Sequence, residues 1–445
     1  MNLLHALRLD QKNTYPVVSF VGSGGKSTAI FRLALQYKKA KCPTVFVSAT
    51  SHLGIWQTTL PDHHIIAQSE SDLENFPSSG VILITGPLDG DRTTPVNEYI
   101  LNWLRAKSKK EDIPFLIEAD GSRQKPLKAP AEHEPPIPEF TEIVIHVVGM
   151  SALGQPLDDE HVHRAEIFSQ LSGLPLGELI TPQAIIDLLT HPHGGLKNIP
   201  PHAKHITLLN QAETPELQSI GGGMARSLLA QFDSVLVGSL TQNKFHTIEH
   251  TAGIILAAGR SSRYGQPKQL LEWKGKPFVR YVTETALQAG LEPVVVVTGY
   301  HHAEIESHLQ NLPVTVIHNQ EFEQGQSTSI RAGINALPSK VGSAVFLLVD
   351  QPQIPAEVIR ALVEFHSTEL QPVVAPLVLE EKRANPVLFD QAAFTELRQL
   401  TGDVGGRAIF DKYAIAYLPW HDDILLFDVD KPEDYQRLKD MEQGI

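Results

Sequence analysis

Residues 257–268 read AAGRSSRYGQPK, placing the cations Arg260, Arg263 and Lys268 and the hydroxyls of Ser261 and Ser262 just past an apolar run that ends in Ala257, Ala258 and Gly259. This composition can catch a triphosphate. Glycine lets the backbone turn sharply at Gly259, serines and the amides entering the next helix supply donors, and the cations supply charge on flexible stems. By itself the pattern is equally a plain strand-to-helix connection with surface arginines. Acidic residues further along add to the first reading. FLLVDQPQIP ends an apolar run in Asp350, where a carboxylate at a strand's C-terminal edge can hold Mg²⁺ against phosphate oxygens. LLFDVDKPEDY sets Asp428 and Asp430 two residues apart, which at a second strand end would put both on one face, so that one or both join Asp350 around a cation.

A second segment with phosphate chemistry lies near the N-terminus. VVSFVGSGGKSTAIF reads as strand, glycine loop and helix, with the amides of Gly22, Gly24 and Gly25 and the helix start facing an anion. Lys26 would bridge phosphates, the Ser27 hydroxyl would reach Mg²⁺, and Thr28 completes the turn. The match to GxxxxGK[ST] is incomplete, because Phe20 stands where the first glycine belongs. FLIEADGSRQKPLK ends another apolar run in Glu118 and Asp120, positions suited to hold Mg²⁺ or order water, and Arg123, Lys125 and Lys128 follow at once.

The elements that position these groups follow from two series of short apolar runs separated by amphipathic segments. PVVSFVG, PTVFVSAT, VILITG, PFLIEADG and EIVIHVVG form the first; GIILAAG, PVVVVTG, VTVIHN, SAVFLLVD and PVVAPLV form the second. Such alternation predicts two α/β domains, each with a mostly parallel sheet. The polar stretch between them lacks sustained periodicity, so the expected organisation is a domain over residues 1–240, a linker over 241–251 and a second domain over 252–445. With 445 residues, 42% hydrophobic content and a single cysteine, Cys42, the chain should fold without disulfides in a reducing cytoplasm. A formal net charge of −14 argues against nucleic-acid and anionic-membrane partners. No secretory leader or membrane-spanning run is expected. The paired histidines His161 and His163, His191 and His193, and His301 and His302 stand apart from cysteines and from any HExxH helix, so structural zinc is not expected.

Taken in order, LAAGRSSRYGQPKQLL, GQSTSIRAGI, LVDQP, ANPVLF, TGDVGGRAIF and DVDKPEDY make residues 252 to about 440 resemble the MobA-like nucleotidyltransferases, most closely the molybdenum cofactor cytidylyltransferases of MocA type. The resemblance implies a Rossmann-like fold of the nucleotide-diphospho-sugar transferase type. It also implies that the loop and Lys268 hold the triphosphate, that Gln326 and Ser329 lie near base and ribose, and that Asp350 with Asp428 binds Mg²⁺. Asn385, Pro386, Gly402, Asp403 and Arg407 would lie on the molybdopterin side. Guanylyl-transferring relatives usually read LAGG at the loop, so Ala258, narrowing the space beside the base, favours CTP over GTP. Tyr264 stands where the family usually has methionine, and Gly406 where it usually has alanine.

The N-terminal 240 residues resemble the YqeC family, accessory proteins linked to selenium-dependent molybdenum hydroxylases, through VGSGGKST, VSATSH, EADGSRQKPLKAPAEHEPPIP, VVGMSALGQPL, VHR, ITPQAI and LLNQAE. NQAE, residues 210–213, replaces the NKAD string that reads guanine in GTPases, which leaves ATP and GTP both open. The two resemblances imply one chain that couples an NTP-dependent maturation step to transfer of CMP from CTP to molybdopterin, serving a molybdenum hydroxylase. Lys268, Arg263 and Asp350 would carry the transfer by positioning and charge neutralisation. Transfer to a sugar or polyol phosphate, or a non-enzymatic cofactor carrier, are the rival readings.

Overall fold

In a computed structural model that describes residues 1–10, 14–40, 42–260 and 264–443, the run TVFVSA sends Val45 and Val47 into one buried cluster and Phe46 into another. The same split recurs along the neighbouring strands, with Leu116 on one side and Phe115 and Ile117 on the other. Strands covered on both faces need apolar residues at every position, which is why they appear in sequence as unbroken runs rather than alternating ones.

The chain divides into two compact units, Met1–Ile248 and Glu249–Ile445. The first carries strands β1 (Val17–Gly22), β2 (Thr44–Ala49), β3 (His63–Ile66), β4 (Gly80–Thr85), β5 (Phe115–Glu118), β6 (Ile143–Gly149), β7 (Lys204–Asn210) and β8 (Ser234–Ser239). They pair in parallel in the order β8-β7-β6-β1-β5-β2-β4-β3. Helix α1 (Lys26–Lys39) buries Ala29, Ile30, Leu33 and Tyr37 on one face of this sheet. Helix α2 (Glu98–Glu111) buries Ile100, Leu101 and Leu104 on the other. Each such aliphatic or aromatic side chain contributes roughly 1.5–3 kcal/mol when removed from water. Because β1 lies between β5 and β6, the glycine loop after β1 and the carboxylates after β5 emerge together at the carboxyl edge of the sheet, where open α/β sheets bind ligands.

The second unit is built on β9 (Lys244–Ala257, from Glu249 onward), β10 (Val294–Thr298), β11 (Thr315–His318), β12 (Val341–Leu348), β13 (Val373–Val378), β14 (Val387–Asp390) and β15 (Ile415–Trp420). Their order is β11-β10-β9-β12-β14-β13-β15, parallel except for β14, which runs against both neighbours. Helices α3 (Phe278–Gln288) and α5 (Ala356–Glu369) share one buried cluster with Ile255, Val296 and Val345. Helix α4 (Gln326–Asn335) packs Ile330 and Ile334 on the opposite face against Ile254 and Val297.

Three local expectations change. The stretch 241–251, read as a linker, is strand from Lys244 onward. Phe245 is fully buried in the first unit's core and the Thr247 hydroxyl donates to the Ala6 carbonyl at 2.9 Å, a two-residue alternation too short and too polar to stand out in the sequence. Asp428 and Asp430 do not end a strand; they lie in irregular chain after the 3₁₀ turn Asp423–Leu426. Gly259 does not adopt a left-handed backbone, and a Cβ there would meet no atom within 4 Å. Position 259 itself therefore has no backbone or steric need for glycine among the described residues. Among the described residues no helix is long and apolar enough to cross a membrane.

Candidate active sites

In the first unit Phe20 is a core residue of β1, so the loop is short and runs from Gly22 to Gly25. Gly22, Gly24 and Gly25 take φ of +89°, +76° and +122°, conformations that side chains resist. Space forbids them as well: a Cβ on Gly22 would lie 2.3 Å from the Val147 carbonyl, and one on Gly24 2.3 Å from the Gly149 nitrogen. The loop amides Gly22, Ser23 and Gly24 donate to Asp120 Oδ2, Val147 O and Lys125 O. The first helical bond of α1 is Ala29 to the Gly25 carbonyl at 2.9 Å. The amides of Gly25 to Thr28 are thus the donors that α1 directs outward for an anion.

Behind the loop lies a chain of buried charges. The Lys26 ammonium donates to the Gly22 carbonyl at 2.6 Å and stands 3.1 Å from Asp120 Oδ1. Lys128 contacts Asp120 Oδ2 and Glu134 Oε2, each at 2.9 Å. Arg164 grips both oxygens of Glu134, at 2.7 and 3.1 Å. Burial works against a charged Asp120, but Lys26 and Lys128 on its two sides hold the carboxyl below its ordinary range. Glu118 moves the other way: burial pushes it up despite Lys26, and its Oε2 accepts from the Ser27 hydroxyl at 3.0 Å and from Gln57 Nε2 at 3.1 Å. Gln57 also donates to Ser27 Oγ at 2.7 Å. Nothing in the sequence marked Gln57, which sits in the 3₁₀ turn Ile55–Thr59, thirty residues after Ser27.

All of these side chains except Asp120 and Lys128 line a cavity of about 1300 Å³ that also takes in Thr28, Trp56, Arg123, Lys125, His163 and Gln211. Asn210 lies beneath it, with its amide donating to the Gly24 carbonyl at 2.7 Å and accepting from the Leu240 nitrogen at 2.9 Å. The first residue of NQAE thereby braces the glycine loop. His146, under Gly22, is held neutral by burial, which lowers its pKa to about 4.

In the second unit, Lys268 meets two of the three acidic residues that the sequence singled out. Its ammonium lies 2.9 Å from Asp430 Oδ1 and 3.2 Å from Asp350 Oδ2. Burial opposes its charge, yet Asp430 and Asp350 hold the ammonium above its ordinary value. Asp428 accepts from Gln351 Nε2 at 2.5 Å; burial, then the charge of Asp350, pushes its carboxyl up. Oε1 of Gln351 is buried without a hydrogen-bond partner among the described residues. Two carboxylates flank one ammonium, with Asp428 and an orphaned acceptor close by. Among the described residues no three His, Cys, Asp or Glu stand in a metal-holding arrangement, and Lys268 takes the place between Asp350 and Asp430.

Ala257 and Ala258 are buried at the end of β9, and Gln269 Nε2 pins the backbone there through the carbonyls of Ala257 and Gly259, at 3.1 and 2.7 Å. Arg260 pairs with Glu323 and lies over the rings of Tyr300 and Phe322. Ser261, Ser262 and Arg263 lie outside the described residues. Gln326 and Asp403 meet directly, the Gln326 nitrogen donating to Asp403 Oδ1 at 3.1 Å, while the Ser327 hydroxyl donates to the Gly402 carbonyl at 2.6 Å. Ser329 is buried and accepts from Asn319 at 3.0 Å. Arg407 reaches Asn385 Oδ1 at 3.5 Å, and the Asn385–Pro386 bond is cis. Gly406 has a local reason: a Cβ would lie 2.8 Å from the Phe389 ring. Tyr264 packs partly buried against the unit's core.

Comparison with known proteins matches residues 18–166 to the model of the YqeC protein family and residues 253–416 to that of the MobA-like NTP transferase domain. The Escherichia coli protein YqeC is 30% identical over 210 residues, covering 44% of this chain and 75% of its own length. The Bacillus subtilis purine catabolism protein PucB is 30% identical over 207 residues, covering 42% of this chain and 95% of its own. The Escherichia coli molybdenum cofactor cytidylyltransferase is 36% identical over 88 residues, 20% of this chain and 45% of that enzyme.

Proposed function

The chain belongs to the YqeC family through its N-terminal unit and to the MobA-like NTP transferases through its C-terminal unit, a nucleotidyltransferase, and from that premise we propose that it matures the molybdenum cofactor. In this reading the second unit transfers CMP from CTP to molybdopterin. An oxygen of the pterin's terminal phosphate attacks the α-phosphorus of CTP, the bond from that phosphorus to the bridging oxygen breaks, and pyrophosphate leaves. The observation that carries the reading is the pairing of Lys268 with Asp350 and Asp430, with the Asp428 carboxyl within reach of their charges.

Asp350 and Asp428, with Asp430, would hold Mg²⁺, which when bound supplies charge neutralisation for the triphosphate. Lys268, freed from its carboxylate partners, meets phosphate oxygens, Gln326 and Ser329 serve base and ribose, and Asn385, Asp403 and Arg407 orient the acceptor. Little covalent work falls to the protein; positioning and charge do the rest. Ala258, buried beside the loop, supports CTP over GTP. The first unit acts as an NTP-dependent accessory in the cytoplasm, taking ATP or GTP through Gly25 to Thr28 and serving a molybdenum hydroxylase of the selenium-dependent class. Incubating the full chain with Mg²⁺, molybdopterin and either CTP or GTP, and weighing the products, tests the central claim. The cytosine dinucleotide and pyrophosphate in equal amounts are expected; transfer only to a sugar phosphate would overturn it.

A further inference from the structure

The loop at 121–125 follows β5 and is fastened to the glycine loop. Gly24 N donates to the Lys125 carbonyl at 3.1 Å and Ser23 Oγ to the Pro126 carbonyl at 3.0 Å. Within it Arg123 and Gln124 both take left-handed backbone, φ +50° and +62°, a conformation that non-glycine residues avoid and that clusters at ligand-binding sites. The strained turn carries Arg123 and Lys125 to the cavity wall.

The wall carries acids as well as cations, Asp91, Glu118 and Asp159 among them. Lys26 is balanced by Asp120 and Arg164 by Glu134. Among the described residues no carboxylate forms an ion pair with Arg123 or Lys125; Lys125 has only a long 3.5 Å contact to the Val162 carbonyl. His163 lies on the same wall. Burial first, and then Arg164, Lys128 and Arg123, keep it neutral down to about pH 4. The cavity, about 1300 Å³, also exceeds the roughly 300–1,000 Å³ typical of a single-ligand pocket.

We propose that Arg123 and Lys125, presented by the strained loop beside His163, form a second subsite that binds a phosphate-bearing dianion at the same time as an NTP occupies Gly25 to Thr28. Two cations that form no ion pair among the described residues match a dianion better than a carboxylate, and a phosphate group offers the several acceptor oxygens that a guanidinium and an ammonium satisfy together. The first unit then handles two ligands at once, which a nucleotide switch alone does not need. This inference rests on the NTP reading of the first unit given above.

Calorimetry on the full chain tests it, with inorganic phosphate as the probe, both alone and after saturation with Mg²⁺ and a non-hydrolysable ATP or GTP analogue. Arg123→Ala/Lys125→Ala is expected to lose at least about tenfold in affinity for one phosphate per chain while binding the analogue as the unaltered chain does. Arg123→Lys/Lys125→Arg should keep most of the phosphate affinity. Equal phosphate binding in the unaltered chain and the alanine variant overturns the subsite. So does a variant that loses the analogue tenfold while phosphate no longer adds to the nucleotide-saturated chain, since the cations then serve the NTP itself. If Lys26→Ala leaves analogue stoichiometry unchanged, the NTP reading fails separately, and the nucleotide-free titration still decides the subsite.

Discussion

Lys26 and Asp120 form a buried pair, 3.1 Å apart, inside the loop that the sequence marks for phosphate, and the same Asp120 accepts from the Gly22 amide and pairs with Lys128. The loop's cation is therefore held by protein groups, and anion binding must compete with Asp120 for it. Asp120→Asn leaves two buried ammoniums short of their counter-charge. Removing one member of such a network typically costs about 3–5 kcal/mol. Urea denaturation should show the first unit destabilised by that order while the second unit's transition stays put. An unchanged first transition would mean that Lys26 and Lys128 are compensated elsewhere.

Lys268 stands in a comparable position between Asp350 and Asp430, but partly open to solvent. Lys268→Ala should lower CTP use about 10- to 100-fold, the worth of a charge-assisted bond to phosphate, with the fold intact. Asp350→Asn should raise the Mg²⁺ concentration needed for half-maximal transfer. Steady-state kinetics at varied Mg²⁺ separates the two: full activity of Asp350→Asn at limiting Mg²⁺ removes Asp350 from the metal set.

Base choice turns on a single methyl. Ala258→Gly should raise GTP use relative to CTP, and a pocket difference of this size is worth only about 1–3 kcal/mol, so a partial relaxation is expected. Competition between CTP and GTP, read as the ratio of dinucleotide products, measures it. An unmoved ratio would place base reading around Gln326 and Ser329.

These residues differ in how far the sequence reveals them. Every apolar run read as a strand in the two series forms one; most are buried on both faces and announce themselves without help from spacing, while Thr315–His318, only half-buried, lies at the sheet edge. Lys204–Asn210 and Ser234–Ser239, carrying threonine, histidine, serine and glycine among their apolar residues, gave no such run. Lys26, Asp350 and Lys268 stood beside glycines or at strand ends, where local pattern suffices. Gln57 and the Glu134–Arg164 pair join the first site only through tertiary folding, across 30 residues in each case. Asp428 and Asp430 were visible as acids, but their placement in irregular chain follows from packing around Gln351 and Gln353, which no periodicity reports.

The boundary between the units moves the point at which the chain should be divided. Phe245 is fully buried in the first unit's core, so a cut within 240–244 strips that core of a large aromatic side chain, whereas a cut after Ile248 does not. Phe245→Ala should cost the first unit about 3–5 kcal/mol. Two fragments, 1–248 and 249–445, compared by calorimetry with 1–240 and 241–445, check this, and equal stability of the two N-terminal fragments would remove Phe245 from that core.

The last expectation concerns acid. His146 and His205 are buried with rings 6.4 Å apart, and burial lowers their pKa values from 6.5 to about 4 and about 3. Between roughly pH 6.5 and 4 the unfolded chain binds protons at these positions and the folded chain does not, so the first unit's stability is full above pH 6.5 and falls as pH drops through that window. Each histidine contributes at most about 1.4 kcal/mol per pH unit. Asp120 adds in the same direction at lower pH, since its carboxyl is held below its ordinary value and its contribution is lost only as acid protonates it. Glu118, pushed up by burial, works the opposite way and blunts the loss where it takes up its proton. Replacing His205, which packs against Phe232 at 4.2 Å between ring centres, with Phe removes one titrating group and keeps an aromatic ring there. Chemical denaturation of the first unit at a series of pH values should then give a shallower slope for His205→Phe than for the unaltered chain. Identical slopes would mean that His205 already carries its proton in the folded protein, with a partner other than those around it here.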